Sequence, residues 1–225
     1  VKDYSRETLF GDKVISSISY DEQEIIRDIL YLHADNGNIE ADPTYSIGNF
    51  YKDGLVKPIY KFDKFPQIEG VTQADSNSLP LGPGTIKTLM FDPPFVMGGN
   101  GTIENEELTE ATGIIPGRFV SFKDFDELKQ MYSSSLKEFY RVLIMGGLLV
   151  FKCQDCIVSA KNHFTHVWVM NEALKIGFYP KDLFILLARN RLNDGRKQQH
   201  ARKYHSYFLV FKKEKCKIDY DEVKL

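Results

Sequence analysis

The sequence predicts a doubly wound α/β fold: a mostly parallel, seven-stranded sheet with helices on both faces and an antiparallel last strand. Three observations lead to it. "LLVF" (148–151) and "FILLA" (184–188) are apolar without alternation, as strands covered on both faces must be. Amphipathic segments of helical period separate the apolar runs. Predicted strands also end repeatedly in aspartate, at Asp42, Asp63, Asp75, Asp92 and Asp155. In such sheets the carboxyl ends of the strands face the ligand crevice.

The elements follow in order. "YDEQEIIRDILYLHAD" (20–35) places Ile25, Ile26, Ile29, Leu30 and Leu32 at helical spacing behind an acidic first turn. A turn and a short strand ended by Pro43 come next. "PIYKFD" (58–63), "GVTQAD" (70–75) and "TIKTLMFD" (85–92) are three further strands. Residues 96–121 are rich in Gly, Asn, Glu and Thr, without period, and read as a long active-site loop. The strongest helix is 125–143, with Leu128, Met131, Tyr132, Leu136, Phe139, Tyr140 and Leu143 on one face. It feeds the strand "GGLLVFKCQD"; a helix ended by Gly177 follows, then the strands "KDLFILLAR" and "HSYFLVFKK". No helical pattern joins these last two, so they should pair as an antiparallel hairpin. Only twelve residues, 47–58, separate the first two strands, barely the dozen a helical crossover needs. The helix there must be a single turn or missing. The reading is one domain over 1–225, with a helical extension at 1–37 and a basic hairpin loop at 189–205.

Composition narrows the function. The chain has 225 residues, 43% of them hydrophobic and 27% charged, with a net charge of −2. It is no polycation, so a nucleic-acid partner would be held by a local basic patch. No apolar run nears the roughly 18 residues of a membrane helix, and the opening residues lack a secretory pattern. Three cysteines, two of them in "CQDC", suggest neither a disulfide framework nor a metal site, and favour a cytoplasmic setting.

"FDPPF" (91–95) carries the chemistry. Asp92 and the carbonyl of Pro93 are acceptors, the rings of Pro93 and Pro94 fix φ and remove two N–H groups, and Phe95 offers a flat face. Together they suit a planar amine, with acceptors for its two hydrogens and a ring to stack on. The same tetrapeptide alone could be an ordinary strand-end turn.

Its context resembles the S-adenosylmethionine-dependent amino-methyltransferases, of the class I methyltransferase type, whose signature [DNS]-P-P-[YFW] follows the fourth strand. "ADPTYSIGNF" (41–50) is similar to their cofactor motif D-P-x-x-G-x-G, with Asp42, Pro43 and Gly48 matching and Ser46 where a glycine is expected. The resemblance implies that Asp63 binds the ribose hydroxyls, that Asp75 accepts from the adenine amino group with Ser76 beside it, and that Asp92, Pro93, Pro94 and Phe95 are catalytic. It covers about residues 40–210. It implies S-adenosylmethionine as cofactor and methyl transfer to a base amine, adenine N6 in DNA being favoured over RNA. An RNA base methyltransferase, a module that has lost catalysis and a protein methyltransferase are the alternatives.

"RNRLNDGRKQQHARKYH" (189–205) holds Arg189, Arg191, Arg196, Lys197, Arg202 and Lys203 against the single Asp194. That local charge is expected to grip phosphates. A base in duplex DNA would have to be flipped out to reach Asp92.

Overall fold

The computed structural model describes residues 14–95, 122–189 and 200–215. The predicted loop at 96–121 lies outside these residues, and so does most of the basic segment. The described strands are β1 (Ile18–Ser19), β2 (Ala41–Asp42), β3 (Tyr60–Asp63), β4 (Thr72–Gln73), β5 (Ile86–Phe91), β6 (Leu143–Cys153), β7 (Cys156–Val158), β8 (Lys161–His163), β9 (Tyr179–Leu187) and β10 (His205–Lys212). The described helices are α1 (Glu22–His33), α2 (Phe125–Val142) and α3 (Thr165–Ile176).

Eight strands form the main sheet, in the order β1-β9-β10-β6-β5-β2-β3-β4. Seven were expected. The eighth is β1, two residues long and paired in parallel with the edge of β9, too short to leave a period in the sequence. β10 runs antiparallel to both β6 and β9, while the pairs from β6 through β5, β2, β3 and β4 are parallel. A small hairpin of β7 and β8 stands apart, turning through Ser159 and Ala160 at φ of 49° and 58°. A tight turn with two left-handed residues normally recruits Gly or Asn, so this hairpin was invisible in the sequence.

The sheet divides its apolar residues between two faces at a period of two. Leu89, Phe91, Leu149, Phe151, Leu209 and Phe211 meet Leu128, Tyr132, Leu136 and Phe139 of α2 and Val169 and Ala173 of α3. Met90, Leu148, Val150, Phe208 and Val210 meet Ile25, Ile26, Ile29 and Leu30 of α1. The two continuous apolar runs that announced the fold are thus strands shared by two cores.

Capping fixes where the helices begin and end. Asp21 accepts from the Glu24 N–H at the start of α1, and Asp124 accepts from Asp126 and Glu127 N–H at the start of α2. Gly177 ends α3 at φ 115°, a left-handed conformation that favours glycine.

Every residue between β2 and β3 is described and none is helical, as the short connection required. Residues 43–59 make turns, and Tyr45, Phe50 and Tyr51 fill the space, with Tyr45 and Tyr51 stacked at 5.5 Å. α1 completes this layer from before β2. Ile29, fully buried in that layer, tests its weight. Ile29→Ala should cost about 2–5 kcal/mol in urea unfolding with an unchanged slope.

Candidate active site

β5 carries Phe91 into the core, where Phe139, Phe151 and Tyr132 meet its ring edge-on at 4.7, 5.1 and 6.4 Å. The chain then leaves the sheet through Asp92, Pro93, Pro94 and Phe95. Tyr132 Oη donates to the Pro94 carbonyl at 3.3 Å. The Asp92 N–H donates to Thr44 Oγ1 at 2.8 Å. Thr44 in turn donates through its N–H and its hydroxyl to Asp42 Oδ1, at 2.8 and 3.1 Å. Tyr51 Oη donates to Asp42 Oδ2 at 2.7 Å.

That chain of bonds relocates Asp42. The sequence suggested a cofactor ligand, but the side chain is fully buried behind the wall it supports. Burial pushes its pKa up to about 7 against the pull of Tyr51 and Thr44, with the charge of Asp92 adding to the rise. Gly48 also stands back from the crevice. Its φ is 76°, and a Cβ there would lie 2.5 Å from Tyr45 Oη, so glycine is required locally.

The other predicted positions converge. A cavity of about 370 Å³ is lined by Pro43, Asp63, Asp75, Ser76, Asp92 and Pro94. Each wall is held from behind. Asp63 accepts from the Ser46 and Phe65 N–H groups, one on each oxygen, at 2.9 and 2.8 Å. Asp75 pairs with Lys64 at 2.9 Å. Ser76 Oγ bonds Ser135 Oγ of α2 at 2.8 Å. The segment after Ser76 is clamped to α2, with Leu79 N–H donating to Glu138 and Arg141 donating to the Leu81 carbonyl. Lys64, Phe65, Phe122 and Met131 also line the cavity. Sequence reasoning missed these four, because their approach depends on loops and on α2, not on strand ends.

Asp92 borders this cavity with an odd distribution of partners. Oδ2 faces Lys152 Nζ at 3.6 Å, while Oδ1 is buried and has no hydrogen-bond partner among the described residues. Burial raises the Asp92 pKa above the ordinary carboxyl value, with Lys152 opposing and Glu22 adding to the rise. Lys152 is itself buried and 2.6 Å from Glu22 Oε1, its ammonium lying over the rings of Phe50 and Phe208. Desolvation works against its charge, yet Asp92 and Glu22 hold its pKa above the usual lysine value. Nothing in the spacing of "LLVFK" marked Lys152; a lysine near the end of a buried strand was the one available signal.

A second cavity, about 420 Å³, opens on the Lys152 side. Phe95, Glu22, Lys152, Gln154, Arg189 and His205 line it. The tip of β5 is therefore shared: Asp92 and Pro94 on one cavity, Phe95 on the other. Pro93 is buried and lines neither of the two. Asp155, also predicted at a strand end, turns instead to α3, where it accepts from the N–H and Nδ1 of His166 at 3.3 and 2.6 Å.

Of the basic residues, Arg189 lines the second cavity, and the Lys203 carbonyl accepts from Gln154 at its edge. Arg202 belongs to the described residues; Arg191, Arg196 and Lys197 lie outside them. Among the described residues, no group of three His, Cys, Asp or Glu is placed to hold a metal ion, and no helix is long and apolar enough to cross a membrane.

No protein-family model matches the chain, and no curated protein matches its sequence. Solved structures are similar at low identity. A candidate DNA modification methylase from Thermus thermophilus aligns at 15% identity and TM-score 0.43, over 65% of this chain and 54% of that one. The same protein complexed with S-adenosyl-L-methionine aligns at 18% identity and TM-score 0.41, over 65% and 56%. A SAM-dependent methyltransferase from Methanosarcina mazei aligns at 9% identity and TM-score 0.44, over 83% and 97%. The chain spans a little over half the length of the Thermus structures it matches.

The buried Asp42 makes a measurable prediction. It loses its proton near 3.8 in the unfolded chain and near 7 in the folded one. Between these values the folded state binds the extra proton, so this group's contribution to stability declines as pH rises through the window. Wild-type melting temperature should therefore carry a negative slope there that Asp42→Asn removes, with the two proteins diverging most above about pH 7. A slope that survives the substitution contradicts this assignment.

Proposed function

We propose that the protein is an S-adenosylmethionine-dependent methyltransferase acting on an exocyclic amine of a nucleic-acid base, with adenine N6 in DNA the favoured acceptor. One observation carries the reading. The Asp92–Phe95 tip divides two cavities, and the carboxylate at the divide keeps one buried oxygen without a partner.

The donor set of the first cavity suits the cofactor. Its volume lies in the range of small-molecule sites. Asp63 lines the cavity with a carboxylate that backbone N–H groups hold in orientation, which suits it to accept from ribose hydroxyls. Asp75 and Ser76 offer polar atoms to an adenine edge, while Phe65 and Phe122 offer flat apolar faces. S-adenosylmethionine bound there would supply a sulfonium methyl to the amine nitrogen, its sulfur leaving as a neutral thioether, with the amine's proton passing by way of the Asp92 carboxylate to solvent.

The protein's part is to hold and orient. Asp92 Oδ1 accepts an amine hydrogen and draws the nitrogen lone pair out of conjugation with the ring. Phe95 stacks on the base in the second cavity. Arg189, which lines that cavity, contacts the phosphates. Rigid placement of amine and methyl donor supplies most of the acceleration, and no covalent enzyme intermediate is required.

Transfer of tritium from labelled cofactor to DNA and RNA, followed by base analysis, tests the reading. Asp92→Asn should lower turnover by about 10²–10³-fold while calorimetry finds cofactor affinity nearly unchanged. Asp63→Ala should do the reverse at its own cavity, weakening cofactor binding by roughly 10–100-fold. Cofactor binding that is absent in the wild type, or untouched by Asp63→Ala, rejects the proposal.

A further inference from the structure

The ion pair at the floor of the second cavity has no part in the chemistry described so far, although it touches the central carboxylate. Lys152 lies on β6, and Glu22 is the first residue of α1, 130 positions earlier in the chain. The fold brings both against the tip of β5, and both line the second cavity.

An ammonium has three N–H groups. Glu22 Oε1 takes one at 2.6 Å, and Asp92 Oδ2 faces another at 3.6 Å. The aromatic faces of Phe50 and Phe208 hold the nitrogen between them at 4.9 and 5.6 Å from their centroids. One N–H is left for the cavity that Lys152 lines. Across the divide, Asp92 lines the first cavity, and its Oδ1 is buried and unpartnered among the described residues. An acceptor and a donor thus belong to two side chains in contact at the wall between the cavities, which is the complement of an amine flanked by an unprotonated ring nitrogen. Adenine (N6 beside N1) and cytosine (N4 beside N3) present that edge. Guanine flanks its amine with a ring N–H on the open side, and with N3 only on the side that carries the sugar.

We propose, resting on the methyltransferase reading above, that Lys152, tethered by Glu22, is the positioning and specificity residue of the acceptor site. It occupies Asp92 Oδ2, leaves Oδ1 for the amine, and donates to the neighbouring ring nitrogen, so the site takes adenine or cytosine and rejects guanine. The same pair sets the charge of Asp92. Among the described residues, the ionisable groups acting on Asp92 are Glu22 from α1, Lys152 from β6, Asp42 and Tyr51 from the β2 end, and Tyr132 from α2. Only Lys152 among them is a cation, so its loss raises the Asp92 pKa further and moves the acidic limb of the rate profile to higher pH. Loss of the Glu22 charge moves it the other way. Opposite shifts from two touching residues are not what general damage to the fold produces.

The test uses the full chain with mixed-sequence single-stranded DNA and RNA oligonucleotides and labelled cofactor. The product should be N6-methyladenine or N4-methylcytosine. Lys152→Met should lower kcat by about 10²-fold and move the acidic limb up, Glu22→Gln should move it down, and Lys152→Arg should keep the limb in place. Cofactor affinity, by calorimetry, should stay nearly constant in all three. Carbon-13 carboxyl NMR, with Asp92→Asn marking the resonance, reads the same shifts without turnover. N2-methylguanine as the product, or an Asp92 titration indifferent to both substitutions, overturns the inference and leaves the methyltransferase reading intact. Failure of the wild type to bind cofactor or transfer methyl to any base overturns both.

Discussion

The site depends on one backbone hydrogen bond. Two successive prolines deprive the end of β5 of the N–H groups that would fasten it, so its fixed points are few. Asp92 N–H on Thr44 Oγ1 is one, and the Pro94 carbonyl under Tyr132 is the other. Thr44 can accept that bond in a defined direction because Asp42 takes its own hydroxyl and amide hydrogens. A buried carboxylate at the end of β2 thereby locates the cavity-lining carboxylate at the end of its neighbour β5.

This arrangement is electrostatically unfavourable, and the surroundings offset it. Asp42 and Asp92 both lose solvation, and the charge of Asp92 adds to the cost of ionising Asp42. Asp42 is compensated by neutral donors, Tyr51 and Thr44, whose hydrogen bonds pull its pKa back down without cancelling the effect of burial. Asp92 is compensated by a charge, Lys152, which favours the ionised form. Burial pushes both carboxyl groups upward, Asp42 to about 7, and of the two only Asp92, which borders the cavity, keeps an oxygen without a partner among the described residues.

Much of this was legible in the sequence. Continuous apolar runs and helical faces gave the parallel sheet and its helices, because burial on two faces imposes patterns that residue order must carry. The strand-end aspartates gave Asp63, Asp75 and Asp92, since the carboxyl ends of parallel strands share one crevice by construction. What failed was anything decided by direction within that crevice. Asp42 has the same position in its strand as Asp63, but a turn of aromatic residues closes over it. Lys152 and Glu22 meet only because α1 lies across β6, a contact between segments far apart in the chain. The edge strand β1 and the β7–β8 hairpin were too short, or built from the wrong turn residues, to announce themselves.

The absence of a helix between β2 and β3 has a consequence for the order of assembly. In an ordinary crossover, the helix that roofs a strand pair is made between those strands and can dock as soon as they exist. Here the roof is α1, and the residues it rests on, Leu148, Val150, Phe184, Phe208 and Val210, belong to strands made much later. During translation the helix must wait, amphipathic and uncovered, while more than a hundred residues emerge. Closure of that layer ties an early segment to a late one, so the face bearing Glu22 seals only after β10 has left the ribosome.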